Sequence, residues 1–345
     1  MTGMNTSTTL ANFEEQQQDN EAIRTSSLSS STMHLTGHKG SVYSLSFSPD
    51  GSILASGSFD MTCLLWSYGS NCENFNALVG HKNAILDVKF GGDSDFCATA
   101  SADHTLGYWD VCTGERIKKL MGHEGVVNAC DTSSTSTSHS IIASVSDDCM
   151  CKIWDTRLRG RDCNTQTLRH DYQVTSVAYD GSSNKVYTAG IDNMIHVWDI
   201  RNDGSDSSRK VMSMKGHTDT ITGLSLSPGG EYVLSNSMDG TMRSWDVRPF
   251  VDGGQNGKRL LKTFVGGTHN AERGLLNCSW SADGNMVSGG SADRIVHIWD
   301  EISSEELYYL PGHKGSVNCV IFHPKENVVA SASSDKTIFL GELES

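Results

Sequence analysis

Residues 37–66 read GHKGSVYSLSFSPDGSILASGSFDMTCLLW. Four polar side chains in this stretch decide the fold: His38, Ser56, Asp60 and Trp66. The set returns along the whole chain. His81, His123, His170, His217, His269 and His313 open six further repeats, and Asp103, Asp148, Asp192, Asp239, Asp293 and Asp335 follow them. Six residues after each Asp stands a Trp (Trp66, Trp109, Trp154, Trp198, Trp245, Trp299), with Gly341 in the seventh slot. Four residues before the Asp stands Ser56, Thr99, Ser144, Thr188, Ser235 or Ser331; only the sixth repeat departs, with Gly289.

Between these anchors, short apolar runs alternate with turn chemistry, as half-buried strands do. Val42, Leu45 and Phe47 form one run, Ile53–Ala55 a second and Leu64–Trp66 a third. Ser48-Pro49-Asp50-Gly51 joins the first two, Pro presetting φ and Gly taking positive φ. A period of about 40–45 residues with this content resembles the WD-repeat family, in which each repeat builds one four-stranded propeller blade. The expected architecture is all-β: a seven-bladed propeller spanning 32–345.

The resemblance implies a bonded tetrad in each of the first five repeats: His38, Ser56, Asp60 and Trp66; His81, Thr99, Asp103 and Trp109; His123, Ser144, Asp148 and Trp154; His170, Thr188, Asp192 and Trp198; His217, Ser235, Asp239 and Trp245. A buried Asp needs donors, and imidazole and backbone N–H groups supply them. Read singly, a His-Asp-Ser set suggests a catalytic triad; repetition around a ring argues for a structural role, because catalysis needs one site.

The seventh repeat ends just after its third strand, and Met33-His34-Leu35 stands ready at the other terminus. Lending that strand to the last blade would close the ring and leave no unpaired edge there. Residues 1–31 are polar, rich in Ser, Thr, Gln and Asn, and read as a disordered tail.

Composition narrows the function. The formal charge is −14, with 41 Asp and Glu against 27 Lys and Arg, and no basic run. Phosphate binding needs clustered Lys and Arg, so contact with RNA is expected only indirectly, through proteins. No apolar run spans a membrane, and no secretory leader is legible. Ten scattered cysteines suit a reducing compartment. Cys149-Met150-Cys151 lacks further ligands for a metal. Gly253–Lys258 has the wrong spacing for a phosphate loop, and Arg259 stands where its Ser or Thr should be. No catalytic, cofactor-binding or metal site is expected, nor a small-molecule substrate.

That leaves surfaces. Residues around the loops that enter each innermost strand and the turns before each Asp form a candidate protein-binding rim: Tyr43, Phe59, Leu86, Asn128, Ile191, Met238 and Leu276. Beyond the generic repeat, Gly216–Ser227, Leu234–Asp239, Trp245–Phe250, Leu276–Trp280, Gly290–Arg294 and the Ser331–Leu343 ending, with Gly for Trp, resemble the WD-repeat subunits of the U5 small nuclear ribonucleoprotein. That resemblance implies a non-enzymatic nuclear scaffold in pre-mRNA splicing, docking on a Prp8-like core protein and other U5 proteins. No import signal is visible, and the acidic tail departs from the basic one expected there. An alternative of another class comes from Trp-Asp-x-Arg, present at Arg157, Arg201 and Arg248, which resembles the box that docks substrate receptors on a cullin-type ubiquitin ligase.

Overall fold

The computed structural model describes residues 26–132, 141–158, 163–180, 184–201, 209–249, 259–269 and 274–344. Among them are 28 strands in seven four-stranded antiparallel sheets. Blade 1 shows the pattern: β2 (Val42–Phe47) innermost, then β3 (Ile53–Ser58), β4 (Thr62–Ser67) and β5 (Asn74–Val79) at the outer edge. Blades 2–6 repeat that order through β25 (Glu306–Pro311). The chain is a seven-bladed β-propeller.

Blade 7 is assembled from both ends of the chain. β26 (Val317–Phe322), β27 (Val328–Ser333) and β28 (Thr337–Glu342) come from the C-terminal side, and β1 (Thr32–Thr36) supplies the outer strand. Thr32 pairs with Gly341 and Thr36 with Thr337 in unbroken antiparallel register. In each of the other six blades the third and outer strands slip by one residue at the Trp, as at Leu65/Trp66 and Tyr108/Trp109. Such a bulge re-aims a side chain and adds twist. Where Gly341 replaces the indole, the slip is gone and β1 lies straight.

The apolar core lies between blades. Leu45 and Leu54 of blade 1 cluster with Ala330, Ile338 and Leu340 of blade 7; Cys63, Leu65 and Leu78 of blade 1 cluster with Ile85, Val88 and Trp109 of blade 2. No blade buries its faces alone, so the ring is one cooperative unit.

The expected boundary at residue 31 needs moving. Leu28 is only 3% exposed and belongs to the blade 7–blade 1 core. The backbone N–H groups of Ser26 and Ser27 donate to Glu342 Oε1 (3.0 Å) and Glu326 Oε2 (2.9 Å), and the Tyr68 hydroxyl donates to the same Glu326 oxygen (2.7 Å). Residues 26–31 therefore form part of the folded unit; residues 1–25 lie outside the described residues.

A chain beginning at Thr32 should accordingly melt below the full chain, and one beginning at Gly37, which also loses β1, should melt lower still. Leu28→Ala alone should cost about 2 kcal/mol or more of stability. Thermal and denaturant unfolding followed by circular dichroism reads both; equal stability of the Thr32-start and full chains would remove Leu28 from the core.

Candidate interaction face

The loops entering each innermost strand and the turns between second and third strands gather on one face of the ring. The tetrads are what hold them there. In blade 1, His38 Nδ1 lies 2.9 Å from Asp60 Oδ2, His38 Nε2 lies 2.7 Å from Ser56 Oγ, and the Trp66 indole N–H donates to Ser56 Oγ at 2.9 Å. A neutral imidazole with its proton on Nδ1 completes one directed chain: indole N–H to hydroxyl oxygen, hydroxyl to Nε2, Nδ1–H to carboxylate. Asp60 also accepts from the Lys39 backbone N–H (2.8 Å) and from Thr62. One carboxylate thus ties the entry loop to the turn. The turn needs the tie, because the residue after the Asp takes positive φ: Met61, His104, Cys149, Asn193, Gly240, Arg294 and Lys336.

The same bonds recur in blades 2, 3 and 5 through His81, His123 and His217, each 2.8–3.0 Å from its carboxylate and 2.7–2.8 Å from its hydroxyl. Trp109, Trp154 and Trp245 donate to Thr99, Ser144 and Ser235 at 2.8 Å. Blade 7 keeps His313, Asp335 and Ser331, with the Phe339 ring edge-on to the imidazole where the indole is missing. In blade 5 the Gly before the His is required by close approach: a Cβ at Gly216 would meet the Trp245 ring at 2.7 Å.

Blade 4 corrects the expectation. His170 bonds neither Asp192 nor Thr188, and its buried Nε2 has no partner among the described residues. His196, on the third strand, takes its place, with Nε2 2.5 Å from Asp192 Oδ2 and Nδ1 2.9 Å from Ser213 Oγ. Trp198 still donates to Thr188 (2.8 Å). Blade 6 is rewired alike: His297 meets Asp293 and Glu306, Trp299 donates to the Val265 carbonyl, and His269 Nε2 is left over. The legible signal is a His two residues before the Trp (His196, His297), together with Arg169 or Thr268 where a Gly should precede the opening His.

The rim residues divide. Phe59 and Ile191 are 59% and 44% exposed. Tyr43, Leu86 and Met238 are half-buried. Asn128 and Leu276 are buried and leave the rim. Asn128 donates to Asp147 Oδ1 (2.7 Å) and to the Val174 carbonyl of the next blade (2.9 Å). Thr222 does the same to the Leu276 carbonyl (2.9 Å), and Asn318 to the Val42 carbonyl (2.7 Å). The fifth residue after the His is thus an inter-blade clip in those blades; Tyr43 and Leu86 occupy that position in blades 1 and 2. Tyr172, 59% exposed, was not singled out by the sequence pattern. It precedes Gln173, whose carbonyl accepts from the Ile191 N–H (3.2 Å), on a blade 4 loop that lacks the His170–Asp192 tie.

Burial opposes ionisation of the tetrad carboxylates, yet the donors around them outweigh it and hold Asp60, Asp239 and Asp335 down at about 2. Burial, with the neighbouring His196 imidazole adding to it, pushes His170 down to about 3. The arginines of Trp-Asp-x-Arg are solvent-facing but engaged: Arg157, Arg201 and Arg248 fold back on Asp155, Asp199 and Asp246 at 2.7, 2.8 and 2.5 Å. The described residues contain no group of three or more His, Cys, Asp or Glu suited to a metal, and no helix is long and apolar enough to cross a membrane. The loop at 253–257 lies outside the described residues.

Seven matches to the WD domain, G-beta repeat, cover residues 29–67, 72–110, 114–155, 162–199, 208–246, 258–300 and 304–340. The chain belongs to the WD40-repeat family. Within it, 321 residues are 44% identical to the U5 small nuclear ribonucleoprotein 40 kDa proteins of mouse and human, covering 93% of this chain and 86% of theirs. The pre-mRNA-splicing factor cwf17 of fission yeast is 41% identical over 320 residues, 93% of this chain and 90% of that protein. The likeness runs through all seven blades, so it places the chain in this branch of the WD40 family.

Two outcomes follow from the tetrads. Ser56→Ala leaves both the Trp66 N–H and His38 Nε2 without a partner and should cost about 2 kcal/mol, whereas His170→Gln should cost less, since His170 contributes no tetrad bond. The His170 pKa is lowered on folding, so the unfolded chain binds the extra proton and stability falls as pH drops below about 6.5. The loss should reach about 2 kcal/mol by pH 5. Urea unfolding at pH 7 and pH 5 should show a smaller pH dependence in His170→Gln than in the parent; identical dependence would contradict the assignment.

Proposed function

We propose that this chain is a non-enzymatic scaffold of the U5 small nuclear ribonucleoprotein, working in the nucleus in pre-mRNA splicing by docking on a Prp8-like core protein and neighbouring U5 proteins. The supporting observation is identity of 44% along nearly the whole propeller to proteins named as that particle's 40 kDa component. The chemistry agrees with the reading. In blades 1, 2, 3, 5 and 7 the recurring His, Asp and Ser or Thr groups are spent on each other inside the ring, and blade 4 presents Ile191 and Tyr172 to solvent. Exposed aromatic and aliphatic anchors on a fixed frame are the usual centres of protein interfaces. The cullin-adaptor alternative gains no support, because the three arginines it needs are paired with aspartates of their own strands.

Affinity purification of the tagged full chain under gentle lysis, followed by mass spectrometry, should recover U5 proteins with the Prp8-like protein among them. Tyr172→Ala with Ile191→Ala should reduce that recovery severalfold at unchanged melting temperature. Consistent absence of U5 proteins would overturn the reading.

A further inference from the structure

The loop face is divided by charge, although the chain as a whole is acidic. On blades 3, 4 and 5 it carries Glu124, Asp147, Asp171 and Asp219. Glu124 and Asp171 follow the opening His of blades 3 and 4; on blades 7, 1 and 2 that position holds a lysine, and the places matching Asp147 and Asp219 hold no acidic residue. Lys314, Lys39 and Lys82 each follow a tetrad His, and Lys336 follows the tetrad Asp of blade 7. All four are exposed, and among the described residues none has an ion-pair partner. These blades adjoin: Ser41 Oγ donates to the Ser334 carbonyl across the 7–1 seam, and β2 packs on both β26 and β6 (Ile85–Phe90).

The lysines are held at fixed places. The backbone N–H groups of Lys39, Lys82 and Lys314 donate to Asp60, Asp103 and Asp335 at 2.8, 2.9 and 2.8 Å, so only the aliphatic stems and ammonium groups are free. Those three carboxylates lie beneath the surface, saturated with donors. Among the lysines stands the most exposed aromatic ring of blade 1. Phe59 is 59% exposed, its Cβ lies against Gly40 beside Lys39, and Met61 (44% exposed) follows two residues later.

We propose that this sector of blades 7, 1 and 2 binds single-stranded RNA, its lysines contacting successive phosphates and Phe59 stacking on a base. Point charges spread along an arc with an aromatic platform among them are the elements of sequence-tolerant single-strand recognition. A purely acidic segment such as polyglutamate would engage the lysines and leave Phe59 unused. The four lysines are scattered from residue 39 to residue 336, so no basic run appears in the sequence. The expectation of purely indirect RNA contact came from that absence and from the net charge. The proposal does not rest on the splicing reading: its failure leaves co-purification with U5 proteins intact, and the converse.

Fluorescence anisotropy of the purified full chain with a labelled 20-nucleotide oligouridylate, titrated from 50 to 200 mM salt, tests it. The parent should bind at 50 mM salt. Lys39→Gln/Lys82→Gln/Lys314→Gln should weaken binding at least tenfold and reduce the slope of log K against log salt by about 2. Phe59→Ala should weaken it at least fivefold with the slope unchanged, and Asp171→Asn/Asp219→Asn should not weaken it. No binding by the parent, equal binding by the lysine triple variant, or displacement of the RNA by a polyglutamate peptide at lower concentration than by unlabelled oligouridylate would each overturn the proposal.

Discussion

Everything in this molecule depends on the pairing of β1 with β28. Seven blades that bury their faces only against each other make an open stack with two exposed ends unless the last meets the first. Five residues, Thr32–Thr36, joined to the strand that ends at Glu342 convert that stack into a ring. The absence of a Trp in the last repeat belongs to the same device. An indole in place of Gly341 would bring the bulge seen in the other blades, and the closing strand would have to follow it. Leu28 and the hydrogen bonds to Glu326 and Glu342 then tie down the segment leading into β1.

The tetrads sit one level below closure. They do not hold blade to blade; in blades 1, 2, 3, 5 and 7 they tie the entry loop to the turn within the blade. Where the carboxylate keeps its His and backbone donors, the loop is fixed. In blades 4 and 6 a third-strand His has taken the carboxylate and the entry loop is released from it. Blade-to-blade contact is carried by the apolar clusters and, at three of the seven seams, by Asn128, Thr222 and Asn318, each reaching a backbone carbonyl of the next blade.

The architecture was legible because a buried Asp, a His and an indole at fixed spacing leave little freedom. Ring closure was legible from arithmetic, a missing outer strand and a spare one. The rest was hidden for physical reasons. The exchange of His170 for His196 keeps the repeat's His, Thr, Asp and Trp in register and changes which imidazole reaches the carboxylate, marked only by Arg169 in place of Gly and by the added His196. Asn128 and Leu276 occupy positions that face a neighbouring blade, and facing a neighbour is set by the ring, not by local periodicity. The lysine sector is invisible in a linear reading because its members lie in three blades that meet only after closure. Net charge describes the whole surface and says little about three blades of one face.

Native-state hydrogen exchange at the β1–β28 ladder tests the central claim most directly. Closure as the limiting constraint predicts that the paired amides of Thr32–Thr36 and Thr337–Gly341 exchange only through global unfolding, with the same free energy as those of the innermost strands. Exchange of the β1 amides at markedly lower free energy, while the innermost strands stay protected, would show that the ring holds together without its closing strand and would contradict the account.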